Sequence, residues 1–247
     1  MSTSAPVLLI TGASRGIGAT TARLAARQGY DVAVNYLQDR KAASAVVADI
    51  EAAGRRGVAV QADMGQEADI ERMFATVDDK LGRLTHFVYN TGIIGPASRV
   101  DSLATTDARE ILMVNVLGAV ISARAAIRRI STKHGGQGGA MVLLSSAMAT
   151  LGGAGDYVMY SVSKGAIDTL TIGLARELAA EGIRVNAVAP GPIDTDIHPP
   201  GRLERIAPAV PLGRAGTVAE VAEAVMFLLS EGSSYTNGAV LRVAGGR

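Results

Sequence analysis

Short apolar runs of β-forming residues recur at positions 7–10, 31–35, 58–61, 86–89, 141–145, 184–188 and 239–243. Such runs are expected of strands buried on both faces of a parallel sheet. Between them, helical spacing of apolar positions marks 17–28, 40–53, 68–81, a long stretch inside 103–130, 157–180 and 218–229. Strand and helix alternate along the whole chain. This predicts right-handed crossovers and an α/β fold, a three-layer doubly wound parallel sheet of the Rossmann type, with ligands at the carboxyl ends of the strands where the strand order reverses. No linker breaks the pattern, so residues 1–247 read as one domain. The irregular stretch 190–211 holds Pro190, Pro192, Pro199, Pro200, Pro208 and Pro211, and its length suggests a substrate lid. Residues 135–139 form a small glycine-rich loop.

Composition narrows the function. With 24 Lys and Arg against 23 Asp and Glu, the formal charge of +1 gives no electrostatic reason to invoke nucleic acid or an anionic membrane. Cys is absent, which excludes disulfides, thiolate metal sites and thiol nucleophiles. Residues 1–6 lack the features of a secretory signal, and no apolar run reaches bilayer-spanning length, so the expectation is a cytoplasmic protein. The apolar share of 48% then belongs to a well-filled core.

After the first strand comes Thr11-Gly12-Ala13-Ser14-Arg15-Gly16-Ile17-Gly18, running directly into a helix. A turn punctuated this way lets the main chain approach a ligand closely, and the helix start offers N–H groups and partial positive charge to a pyrophosphate. Gly12, Ser14, Arg15, Gly16, Ile17 and Gly18 are therefore candidate cofactor contacts. Tyr160 and Lys164 stand one helical turn apart in a helical segment and share a face. An ammonium about 4 Å from a phenol, at an effective dielectric of about 20, would favour the phenolate by about 4 kcal/mol, enough to bring Tyr160 near neutrality. Tyr157 has no lysine partner, because Ser161 occupies the matching place. Ser145 and Ser146 end the fifth strand, at the ligand-facing edge. Asn115 lies mid-helix, where asparagine is a poor helix former.

The spacing GxxxGxG resembles the short-chain dehydrogenase/reductase family, and further motifs extend the resemblance over essentially the whole chain. These are Asp63 after the third strand, YNTG at 89–92, NVLG at 115–118, YSVSK at 160–164, and Pro190-Gly191-Pro192-Ile193 running to Thr195. The resemblance implies that Tyr160 exchanges a proton with the substrate oxygen while hydride passes to or from a nicotinamide. It gives Ser146 the substrate carbonyl, Lys164 the nicotinamide ribose, and Asn115 a water in a proton relay. Asp63 and Met64 would meet adenine, Asn90 and Gly92 would pass the adenosine ribose, and Pro190, Gly191, Ile193 and Thr195 would flank the nicotinamide. The family also implies a homo-oligomer, a tetramer or dimer.

Two departures stand out. The family's NNAG reads Tyr89-Asn90-Thr91-Gly92 here, and Ser146 precedes Tyr160 by fourteen residues, one more than the spacing common in the family. Ser145 thus remains an alternative for the carbonyl. An acid at the end of the second strand goes with NAD preference; the chain has Asn35-Tyr36-Leu37, with Arg15 in the glycine loop, which favours NADP(H) with NAD(H) as the alternative. Look-alikes include 3-oxoacyl-acyl-carrier-protein reductases and glucose 1-dehydrogenase-like proteins. Glu181 stands where carrier-protein reductases present a basic residue, although Arg128, Arg129 and Lys133 leave positive charge nearby. The substrate is expected to be a small-molecule carbonyl or alcohol, and the rival reading is an inactive cofactor-binding regulator. His198, in the lid, is a candidate substrate contact or a solvated loop residue. His86 and His134 lack partners at metal-ligand spacing, so no metal site is expected.

Overall fold

The computed structural model describes residues 5–196 and 201–247. Strands β1 (Val7–Ile10), β2 (Asp31–Tyr36), β3 (Gly57–Gln61), β4 (His86–Tyr89), β5 (Gly139–Leu144), β6 (Ile183–Pro190) and β7 (Val240–Val243) form one parallel sheet. Its order is β3-β2-β1-β4-β5-β6-β7, so the direction of winding reverses between β1 and β4. Side chains alternate along each strand and feed two cores. Val7 and Leu9 point to one, Leu8 and Ile10 to the other; Met141 and Leu143 oppose Val142 and Leu144 in the same way.

Helices α1 (Gly16–Arg27) and α2 (Arg40–Ala52) cover one face, and α3 (Glu67–Leu81) covers the other. The long stretch predicted inside 103–130 is helical but not uniform. It comprises α4 (Thr105–Leu112), a π-type turn at Met113–Leu117 and α5 (Gly118–Ile130). Gly118 is required by packing, because a Cβ there would lie 2.2 Å from the carbonyl oxygen of Met64. By length and composition the run Thr105–Ile130 could cross a membrane, which corrects the expectation from sequence. Half of that span is buried within the protein, as in a core helix.

A short α6 (Met148–Leu151) follows β5, and α7 (Val158–Leu178) carries the Tyr160 and Lys164 pair. β6 extends through Pro190, so the irregular stretch begins inside a strand; it also contains α8 (Arg202–Ile206), which apolar spacing did not reveal. His198, Pro199 and Pro200 lie outside the described residues. α9 (Val218–Leu229) returns to the α1 side, its start closed by a capping box between Thr217 and Glu220.

Candidate active site

A cleft of about 720 Å³ opens at the carboxyl ends of the strands. The glycine loop, the segments following β4, β5 and β6, the start of α7, and α8 all reach it. This is the edge at which a doubly wound sheet binds ligands.

The loop leaves β1 through Gly12 at φ +59° and enters α1 through Gly16 at φ +57°, conformations that strain residues bearing a Cβ. A Cβ on Gly18 would lie 2.7 Å from the Gly12 carbonyl oxygen, so loop and helix close tightly only around glycine. Arg15 precedes α1 without a side-chain cap, and the first turn holds no acid. The free amide donors and positive helix end suit an anion such as pyrophosphate. Gly12, Ser14, Arg15, Gly16 and Ile17 line the cleft, while Gly18 is buried behind them.

Asn35, a candidate cofactor contact by its place near the end of the second strand, is not among the residues lining the cleft. It is 1% exposed. Its Oδ1 accepts from the Gly12 amide at 3.0 Å, and its Nδ2 donates to the carbonyls of Val60 and Ala62. Asn35 therefore positions the glycine loop. Asn90 braces the loop from the other side, Nδ2 donating to the Thr11 and Gly12 carbonyls at 2.9 Å. Thr11 Oγ1 accepts the amides of Asn90 and Thr91. The hydroxyl of Thr91 is buried with no hydrogen-bond partner and sits beside Gly12 at the cleft wall.

The first departure from the family pattern has a structural counterpart. The phenol of Tyr89 is fully buried and donates to the carbonyl of Val114, in the π-type turn. The same turn accommodates Asn115, whose Oδ1 accepts from the Ile93 amide at 2.8 Å and whose Nδ2 donates to the Ile93 carbonyl at 2.9 Å and to Ser163 Oγ at 3.0 Å. Asn115 lies beneath the cleft rather than on its wall. A Cβ on Gly92 would stand 3.3 Å from Lys164 Nζ and 3.5 Å from Asn115 Oδ1, which locates the junction of the three.

Tyr160, Lys164, Ser145 and Ser146 all line the cleft. The two serines differ in orientation. Ser145 Oγ donates to the Lys164 carbonyl at 3.3 Å. Ser146 Oγ accepts from the Met148 amide at 3.1 Å and faces the Tyr160 phenol as a hydrogen-bonding group. Lys164 is 4% exposed; its ammonium donates to the Leu144 carbonyl at 2.6 Å and lies 5.7 Å from the centre of the Tyr160 ring.

These contacts correct the simple electrostatic expectation for the pair. Burial raises the Tyr160 phenol above its ordinary value, while hydrogen bonding by Ser146 and the charge of Arg202 pull it down. Burial also lowers Lys164 to about 8, opposed by the Asp168 carboxylate one turn further along α7. The ammonium is committed to a carbonyl and sits over the ring, so it does not by itself bring the phenol to neutrality.

Pro190 at the end of β6 and Gly191, Ile193 and Thr195 after it line the cleft. Asp63 and Met64 do not. Asp63 Oδ1 turns back to the Gly65 amide at 2.8 Å, and the Met64 side chain is buried in the core. Sequence reasoning passed over Thr91 and Arg202, and treated Tyr157 only as a rejected base; Tyr157 is 7% exposed and lines the cleft under Arg202. Arg202 gave no signal beyond its place in the irregular stretch 190–211. Among the described residues, no cluster of three or more His, Cys, Asp or Glu has the arrangement of a metal site.

The glycine cradle, the uncapped helix start and the unpartnered Thr91 hydroxyl fit a nicotinamide dinucleotide along this edge. A family model described as Enoyl-(Acyl carrier protein) reductase matches residues 12–247. The uncharacterized oxidoreductase YgfF of Escherichia coli (strain K12) is 44% identical over 98% of this chain and 99% of its own length. A 3-oxoacyl-[acyl-carrier-protein] reductase of Synechocystis sp. is 35% identical over 98% of this chain and 97% of its own. Among solved structures, a short chain dehydrogenase from Burkholderia cenocepacia in complex with NADP superposes with a TM-score of 0.91 at 36% identity, covering 98% of each chain. A blue fluorescent protein from a metagenomic library, in complex with NADPH, reaches 0.92 at 34% identity, again over 98% of each chain. Sequence, sheet order and cleft agree: the chain belongs to the short-chain dehydrogenase/reductase family of NAD(P)-dependent oxidoreductases.

Proposed function

We propose that this chain interconverts a carbonyl and a secondary alcohol with NADP(H), using Tyr160 as the group that exchanges the proton. The observation that carries this reading is the meeting of Ser146, Tyr160 and Lys164 in one cleft with the glycine loop. The bound dinucleotide supplies or accepts the hydride. Ser146 holds the carbonyl oxygen, and Tyr160 donates its phenolic proton to that oxygen as negative charge develops there. Lys164 holds the nicotinamide ribose, and its ammonium stabilises the phenolate that remains. Asn115, which lies near Gly92 and Lys164, supports the water from which the proton returns.

Support for NADP(H) comes from the exposed Arg15 at the glycine loop and from β2 ending in Asn35 and Tyr36. Asp39 does line the cleft, but its carboxylate is occupied at the start of α2, accepting from the Ala42 amide at 2.8 Å. The crystal structures with NADPH and NADP point the same way. Arg15→Ala should raise KM for NADPH more than for NADH; an unchanged ratio would contradict the assignment. For 3-oxoacyl thioesters on a carrier the support is weaker, because Glu181 engages Ser131 and Lys133 and offsets the charge a carrier would meet. Retention of the whole Ser146, Tyr160 and Lys164 arrangement favours an enzyme over an inactive binder. Apolar side chains exposed on α5 and α7, including Val120, Val162 and Ile172, support a homo-oligomer packed through these helices.

The decisive test is a steady-state screen of aldehydes, ketones, 3-oxoacyl thioesters and sugars with both cofactors. Nicotinamide turnover that disappears in Tyr160→Phe while binding survives is the expected result. Binding without turnover across the screen would instead favour the regulator.

A further inference from the structure

The substrate half of the cleft contains a feature that carbonyl chemistry does not require. Arg202 and Arg205 stand three residues apart on α8, and both line the cleft facing the start of α7. The Arg202 guanidinium lies 4.5 Å from the centre of the Tyr157 ring. Tyr157 immediately precedes α7, one turn before Tyr160, so this stacking holds the cation beside the place where a substrate carbonyl must sit. The charge of Arg202 also acts on the Tyr160 phenol, pulling it down against the effect of burial.

We infer that the substrate carries a carboxylate close to its carbonyl, as in a 2-oxo or 3-oxo acid, and that Arg202 receives it. The inference rests on the carbonyl-reductase reading of the cleft. Arginine presents a planar fork of N–H donors matched to the two oxygens of a carboxylate. The five donors of a guanidinium allow it to hold a carboxylate while keeping contacts elsewhere. Asp156 and Asp196 also line this half of the cleft. Arg205 and Arg247 line the cleft as well and offset the charge of these acids. The neighbouring surface is apolar, with Met148, Leu151 and Ile206, which suits a hydrocarbon body attached to the charged end.

The experiment uses two matched pairs with NADPH: benzoylformate against methyl benzoylformate, and acetoacetate against methyl acetoacetate. In the parent protein, kcat/KM for an acid should exceed that for its ester by about tenfold or more in at least one pair. In Arg202→Met that ratio should collapse toward one, and Arg202→Lys should retain part of it. Dinucleotide binding, followed by NADPH fluorescence, checks that each variant folds. If esters equal or exceed acids in both pairs, the inference is wrong. It is equally wrong if Arg202→Met lowers acid and ester alike, since the arginine then only holds α8 against Tyr157. Turnover of neutral ketones without either acid would overturn the inference and leave the carbonyl-reductase reading intact, whereas no turnover of any carbonyl would overturn that underlying reading.

Discussion

The phenol and the ammonium that share a face of α7 experience different surroundings, and each sets its own experiment. Tyr160 is raised by burial, with Ser146 and Arg202 opposing, so its protonated form is available to donate to a carbonyl at neutral pH. Tyr160→Phe removes only that hydroxyl; turnover should fall by about 10²-fold to 10⁴-fold while dinucleotide binding stays nearly unchanged. Lys164 behaves oppositely, because burial penalises its charged form and lowers it to about 8. The ammonium is therefore present below that pH and lost above it. On the proposed role of Lys164 at the ribose, dinucleotide affinity should weaken as pH rises through about 8, and a titration of binding against pH checks the sign. Tyr160 and Lys164 were legible from spacing, but their surroundings were not. That Ser146 rather than Ser145 faces the phenol depends on how the chain turns after β5, which a spacing of fourteen left open.

At the scale of elements, the alternation of apolar runs and helical spacing was sufficient to identify the seven strands of the described residues, because the central ones, buried on both faces, leave a near-continuous apolar signature and the half-buried edge strands β3 and β7 keep part of it. It was insufficient for the stretch from α4 to α5. The π-type turn there comes from long-range contacts, with Tyr89 reaching the Val114 carbonyl and Asn115 pairing with the Ile93 backbone. Tyr89→Phe leaves the partly buried Val114 carbonyl without this donor and should cost about 1–3 kcal/mol, lowering Tm by several degrees in a thermal melt. The glycine loop makes a different demand. Gly18→Ala would press a methyl group against the Gly12 carbonyl and Asn90, and the loop must shift. Dinucleotide Kd should rise by more than about tenfold, with secondary structure by circular dichroism preserved. Within the stretch 190–211, α8 escaped sequence reading because a helix of five residues is too short to show apolar periodicity, and its contact with Tyr157 joins residues far apart in the chain.

For the whole molecule, the exposed apolar side chains on the outer faces of α5 and α7 lead to an expectation about assembly. Light scattering should give the mass of a dimer or tetramer, and Val120→Asp with Ile172→Asp should shift it toward the monomer; a monomeric parent would refute the proposed assembly. Fold class, strand positions, the glycine cradle and the Tyr160 and Lys164 pair were determined by the sequence alone, because each depends on local periodicity or short spacing that the backbone must obey. Only the tertiary structure decided that Asn35 braces the glycine loop, that Asp63 Oδ1 turns back to the Gly65 amide while Met64 packs in the core, and that Arg202 comes to rest over Tyr157. Those outcomes depend on residues far apart in sequence competing for the same space, hydrogen bonds and charge, and such competition is resolved only when the chain has folded.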